Sequence, residues 1–182
     1  MVKPRIKFTV ADYLTTPDDK RYQLLDGELI LAPSPTDRHQ SIVGHLHVAL
    51  YEFINSNGLG RVRLAPLDVF LTEHDVAQPD MLFVSNSRID IIAEGKVQGA
   101  PDLVVEILSP STQRYDRGYK QTLYAQHGVQ EYWLVDPATE TVEVLVLSEQ
   151  GFSLHAIYDR NQSLISPLLS GMAIALHTVF AD

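Results

Sequence analysis

A chain of 182 residues, 45% hydrophobic and 20% charged, has the proportions of one globular domain and can bury roughly 70% of its unfolded surface. No apolar run approaches the ~20 residues that span a bilayer, and Met1 to Arg5 lead into Ile6, Lys7 and Phe8 without a secretory core, so a soluble, cytoplasmic, single-domain protein over 1–182 is expected. The absence of cysteine excludes disulfides, thiolate zinc sites and cysteine nucleophiles, and a net charge of −9 argues against a broad basic face that holds nucleic acid by counterion release.

Thr9 is placed to cap a short helix through Leu14, which Pro17 and the Asp18, Asp19, Lys20 run then end. Tyr22 to Leu25 and Glu28 to Leu31 flank Asp26-Gly27, the dipeptide best suited to a tight hairpin turn. After the Pro33-Ser34-Pro35 breaker, Ile42, Val43, Leu46, Ala49, Leu50, Phe53 and Ile54 recur with a helical period, and Gly58 is a C-terminal stop. Leu67 to Leu71, Gln78 to Val84 and Asp102 to Leu108 are short Val-, Ile- and Leu-rich runs that read as central strands. Ser87 is a cap for a short helix from Arg88 to Ala93, and Asp116 for another running to Gln126 before Gly128. Glu131 to Val135 and Val142 to Leu147 continue the sheet, and Phe152 to Tyr158 with the Ile174 to Phe180 region close the fold. The order hairpin, helix, three strands, helix, strands predicts an α/β (α+β mixed) domain around a mixed sheet, with extra antiparallel strands at both ends.

Two acids stand out. Asp80 follows Pro79 at the head of an apolar strand, and Glu106 lies inside Asp102-Leu103-Val104-Val105-Glu106-Ile107-Leu108. An ionised carboxylate in such a strand must be paired, hydrogen-bonded or metal-bound, or it takes up a proton. With a period of two, Glu106 shares a face with Asp102, Val104 and Leu108 and can approach Asp80 on a neighbouring strand. A hard divalent cation relieves the repulsion of two converging carboxylates, and Mg²⁺ or Mn²⁺ suits a sparse oxygen donor set without a His or Cys cage. Salt-bridged structural acids remain the alternative.

Asp116, Lys120 and Tyr124 are spaced i, i+4, i+8 and form one helical stripe. Beside the two acidic strands, Lys120 could stabilise a phosphorane-like oxyanion; the competing reading is a solvated lysine paired with Asp116. Arg114 and Arg117 cluster with Lys120 as a local basic rim, while Gln121 to Asp182 carries only Arg160 against seven carboxylates. His39, His45 and His47 do not share one helical face, Ser109-Pro110-Ser111 lacks a nucleophile-elbow sequence, and Trp133 and Tyr132 read as core.

The stretch GAPDLVVEILSPSTQRYDRGYKQTLYAQHGVQEYWLVDP, from Gly99 to Pro137, resembles the signature of the Uma-two family of endonucleases, as do YQLLDGELILAPSPTDRHQ and VAQPDMLFVS. That family belongs to the PD-(D/E)XK, restriction-endonuclease-like superfamily. The resemblance implies a mixed four-stranded core sheet flanked by helices, with Asp80 as the first acid, Glu106 as the second, and the Ile107 carbonyl as a further metal ligand. It implies phosphodiester hydrolysis of DNA with Mg²⁺ or Mn²⁺. In the superfamily pattern a lysine stands two residues after the second acid; Leu108 occupies that place here, and the resemblance points to Lys120 on the following helix instead. Glu28 resembles the acid that the superfamily contributes from its first core element. His39 and Gln40 resemble a recurring pair that faces substrate, His39 having helix-terminal packing as its alternative, and Arg114, Arg117 and Tyr124 complete the candidate substrate contacts. Duplex cleavage with one site per subunit leads to the expectation of a homodimer. The displaced lysine also admits a noncatalytic nucleic-acid or protein binding module that keeps the fold.

Overall fold

The computed structural model describes residues 6–17 and 19–181. Thr9 caps helix α1 (Val10–Tyr13) in a reciprocal capping box with Asp12. Strands β1 (Tyr22–Leu25) and β2 (Glu28–Leu31) form the expected hairpin, with Asp26 and Gly27 at φ of 52° and 73°, the two positive angles a type I′ turn requires. Helix α2 (Asp37–Ser56) starts where the Thr36 hydroxyl accepts the His39 N–H, and it buries Ile42, Leu46, Leu50 and Ile54 along one side. Strands β3 (Gly60–Leu64), β4 (Asp68–Thr72), β5 (Asp75–Ala77), β6 (Met81–Ser85), β7 (Ile92–Ala93), β8 (Lys96–Gln98) and β9 (Leu103–Ile107) follow. Helical turns α3 (Gln113–Tyr115) and α4 (Gln121–Gln126) are joined by a π-helical turn over Asp116–Lys120. The chain then runs through β10 (Glu131–Asp136), β11 (Thr141–Ser148), β12 (Gly151–Asp159), β13 (Ser163–Ile165), β14 (Ala173–Ala175) and helix α5 (Leu176–Val179).

Two six-stranded sheets carry the fold, ordered β2-β1-β5-β4-β8-β7 and β12-β11-β10-β9-β6-β3, with β13-β14 as a small third ribbon. In the second sheet β9 and β10 are parallel and the remaining pairs antiparallel. One face, carrying Val105, Ile107, Trp133, Val135, Val142 and Val144, is covered by α2 together with the C-terminal segment that supplies Leu164, Met172, Leu176 and Phe180. The other face, carrying Val104, Leu108, Tyr132 and Leu134, meets Leu123 and Tyr124 of α4. Among the described residues no helix is long and apolar enough to cross a membrane.

The mixed α/β class agrees with the expectation, and three local details differ. The Leu67 to Leu71 run is no neighbour of β6: β4 pairs antiparallel with β5 and parallel with β8, so it belongs to the other sheet. A short strand covered on both faces has the same apolar content in either sheet, which is why its sequence does not distinguish them. Ser87 caps nothing. A 3-10 turn over Asn86–Ile91 begins after Ser85, held because Asp102 accepts both the Ser85 N–H at 2.7 Å and the Arg88 guanidinium at 2.9 Å, and Ile92–Ala93 then pairs with β8. Asp116 is likewise no N-cap: helical turns begin at Gln113, and Asp116 is buried inside them.

Candidate active site

Strand β9 explains how one carboxylate enters an apolar sheet. Leu103, Val105 and Ile107 point to α2, while Val104, Glu106 and Leu108 point to the face covered by α4. The β6–β9 register pairs Met81 with Val105, so one step further brings Asp80 opposite Glu106. Asp80 is anchored there by the Ile107 N–H, which donates to its Oδ2 at 2.8 Å, and by His39 Nε2 at 3.2 Å from the same oxygen. Asp80 keeps a 21% exposed side chain, whereas Glu106 retains only 4%.

Lys120 and Tyr124 converge on Glu106 from the helical segment. The Lys120 ammonium lies 3.0 Å from Glu106 Oε1 and 2.9 Å from Asp116 Oδ1, and the Tyr124 hydroxyl donates to Glu106 Oε1 at 3.0 Å. Lys120 and Asp116 are as buried as Glu106, so the solvated i,i+4 pair considered from spacing is in fact an interior ion-pair triad. Burial, with Asp116 and Asp80 nearby, pushes the Glu106 carboxyl up to about 8 against the opposing attraction of Lys120. Burial also works against the Lys120 charge, but Glu106 and Asp116 overcome it and hold the ammonium above its ordinary value. The Tyr124 phenol is raised well above its usual range, chiefly by burial.

Glu106, Asp116 and Lys120 line a cavity of about 790 Å³. Its walls come from the β2–α2 loop with Pro33 and Pro35, the start of α2, and the Ser109 to Gln113 segment after β9. Asp80, Glu106, Ile107, Lys120, His39 and Gln40 all line it. Tyr124 stands behind Glu106, fully buried and off the cavity wall. Glu28, Arg114 and Arg117 do not line it. Glu28 opens β2 in the other sheet, Arg114 lies over the Tyr115 ring, and Arg117 makes a two-pronged pair with Glu143 at 2.9 and 2.6 Å.

Asp116 is the site residue that sequence reasoning passed over. Its only signal was the four-residue spacing to Lys120, which a surface helix shows equally often. The π-helical turn that turns this pair inward has no sequence mark.

Comparison with known proteins agrees with this architecture. A crystal structure titled as a "putative nuclease belonging to DUF820", from Anabaena variabilis, superposes with a TM-score of 0.79 at 23% identity, covering 96% of this chain and 98% of that one. At that identity the likeness is one of fold. An uncharacterized protein of Synechocystis sp., slr1290, is 35% identical over 81 residues, and the match spans 44% of this chain and 42% of that relative. The model of the Uma2 family, described as "Putative restriction endonuclease", matches residues 10–177. With nearly the whole length matched by that model, the chain belongs to the Uma2 family.

Proposed function

We propose that the protein is a metal-dependent nuclease that hydrolyses DNA phosphodiester bonds at the Asp80–Glu106 site. The observation that carries this reading is the meeting of Asp80, Glu106 and Lys120 in one cavity, although the strand position expected for a lysine holds Leu108. Asp80, Glu106 and the Ile107 carbonyl would hold Mg²⁺ or Mn²⁺. The donor set supports this assignment. It consists of oxygens, both hydrogen bonds to Glu106 fall on Oε1 and leave Oε2 for another partner, and Glu106 ionises reluctantly without further positive charge. Among the described residues no group of three or more His, Cys, Asp and Glu side chains forms a cage, so an ion held here would have few protein ligands and would keep several waters. Such an ion supplies a water of lowered pKa and neutralises charge on the phosphate oxygens.

The chain's own groups have separate tasks. Lys120 has three N–H donors; one meets Glu106, Asp116 Oδ1 lies 2.9 Å away as an ion-pair partner, and a further donor is available to a nonbridging oxygen as negative charge builds there. His39 and the Ile107 N–H fix Asp80, and Tyr124 fixes Glu106. Incubation of the purified protein with Mg²⁺ or Mn²⁺ and single-stranded, duplex and branched DNA tests the reading. Wild type should cleave and Asp80→Ala should not; equal inertness of both would remove the catalytic assignment.

A noncatalytic binding module is favoured by one observation, the Leu108 side chain in place of the strand lysine, packed into the core at 6% exposure. Calorimetric titration separates the two: a chain that takes up no Mg²⁺ or Mn²⁺, even with DNA present, is a module of this kind.

A further inference from the structure

The cavity's size and charge bear on which form of nucleic acid it can accept, an inference that rests on the nuclease reading. Among the described residues, Asp80, Glu106, Asp116 and Asp136 share the lining with two cations, Arg21 and Lys120, and Lys120 is already shared between two carboxyl groups. Elsewhere half of the cations among the described residues are paired within the chain, and Lys20, Arg61, Arg63, Lys96 and Arg114, which make no ion pair there, stand off the cavity lining. Lys7 pairs with Asp26, Arg38 and Arg160 with Glu140, Arg88 with Asp102, and Arg117 with Glu143. With so few cations on its lining and a net charge of −9 on the chain, the cavity itself offers little to track the phosphates of two strands. A volume of about 790 Å³ lies within the ~300–1,000 Å³ of pockets that enclose one small ligand, and Glu106 at its floor is almost wholly shielded from solvent. Pro33, Pro35, Pro110 and Pro137 stiffen the walls. Among the described residues no Phe, Tyr or Trp lines them, so base stacking is not the source of binding.

We propose that this site takes a single DNA strand, entered at a free end or a frayed stretch, and grips it at only about two phosphates. A continuous duplex cannot bring its scissile phosphate to Glu106 without first releasing one strand. One site then acts on one strand, and the argument for a homodimer from duplex cleavage no longer applies.

Fluorescence anisotropy with the full chain, Ca²⁺ in place of Mg²⁺, and a labelled single strand or its blunt duplex reads this out across a salt series. The single strand should bind at least about tenfold more tightly than the duplex, and log K should fall against log salt with a slope of about −1.4. Arg21→Ala, an exposed residue at the mouth, should make that slope shallower by about 0.7 without a change in fold. A duplex bound as tightly as the single strand, a slope of about −5 or steeper, or no binding of either DNA overturns the inference. Hydrolysis with Mg²⁺ is scored separately: single-strand binding without cleavage of any DNA sinks the nuclease reading alone, and cleavage with a duplex preference sinks this inference alone.

Discussion

The Lys120 ammonium sits 3.0 Å from Glu106 Oε1 across 14 positions of sequence, at the meeting of a strand and a π-helical turn. Glu106 and Asp116 share this one cation, and none of the three side chains is more than 4% exposed. Removing the cation therefore leaves two buried carboxyl groups without the partner they share. Lys120→Met should lower unfolding stability by about 3–5 kcal/mol, read from urea denaturation, and should also abolish hydrolysis. A loss of activity with unchanged stability would mean that the triad contributes nothing to the fold.

Glu106 gives the protein a pH signature in chelator. Its carboxyl is raised from an ordinary value of 4.5 to about 8, so between those values the folded chain holds a proton that the unfolded chain has released. The stabilising contribution is complete below the unfolded value and is lost as pH rises through about 8. Wild type should lose stability over the range of about pH 5 to 8 relative to Glu106→Gln, which cannot titrate. Parallel urea midpoints for the two proteins across that range would contradict the assignment.

Tyr119, next to Lys120, donates to Asp75 Oδ1 at 2.7 Å, and Asp75 also accepts the Asp26 N–H at 2.8 Å and the Thr72 hydroxyl at 2.6 Å. This bond ties the π-helical turn to the β1–β2 and β4–β5 hairpins. Tyr119→Phe should cost about 1–2 kcal/mol with the fold kept, since Asp75 retains two donors. A midpoint indistinguishable from wild type would show that the turn is held by packing alone.

Gly60 begins edge strand β3 opposite Ser85, and a Cβ there would lie 2.1 Å from the Val84 carbonyl oxygen. Backbone gives way far less readily than a side-chain tip. Gly60→Ala should destabilise by about 3 kcal/mol or more, visible as a lowered thermal midpoint or as insoluble protein; near wild-type melting would mean that β3 shifts without penalty.

Much of this fold was legible because its signals are local. Asp26-Gly27 at a hairpin, the four-residue recurrence from Ile42 to Ile54, and the alternation around Glu106 each follow from one periodicity or one turn. Asp80 and Glu106 were conspicuous for a thermodynamic reason, since a charge in an apolar strand needs a partner. What stayed hidden depends on non-local pairing. The short strands Asp75–Ala77 and Lys96–Gln98 gain their identity from neighbours in the other sheet. Asp116 reads as a helix cap until the π-helical turn buries it. Arg117, placed in a basic rim from its sequence neighbours, is committed to Glu143 on a strand 26 residues away.

Leu108 packs with Tyr124, Tyr132 and Leu134 at the end of β9. Under the proposed function the ammonium comes from a different stretch of chain, which frees that strand position from chemistry to serve cohesion. The spacing between acid and lysine can then lengthen or shorten with the intervening loop while the spatial arrangement persists. Searches keyed to a fixed interval along one strand will pass over such chains, and a template built from three side-chain positions in space will recover them.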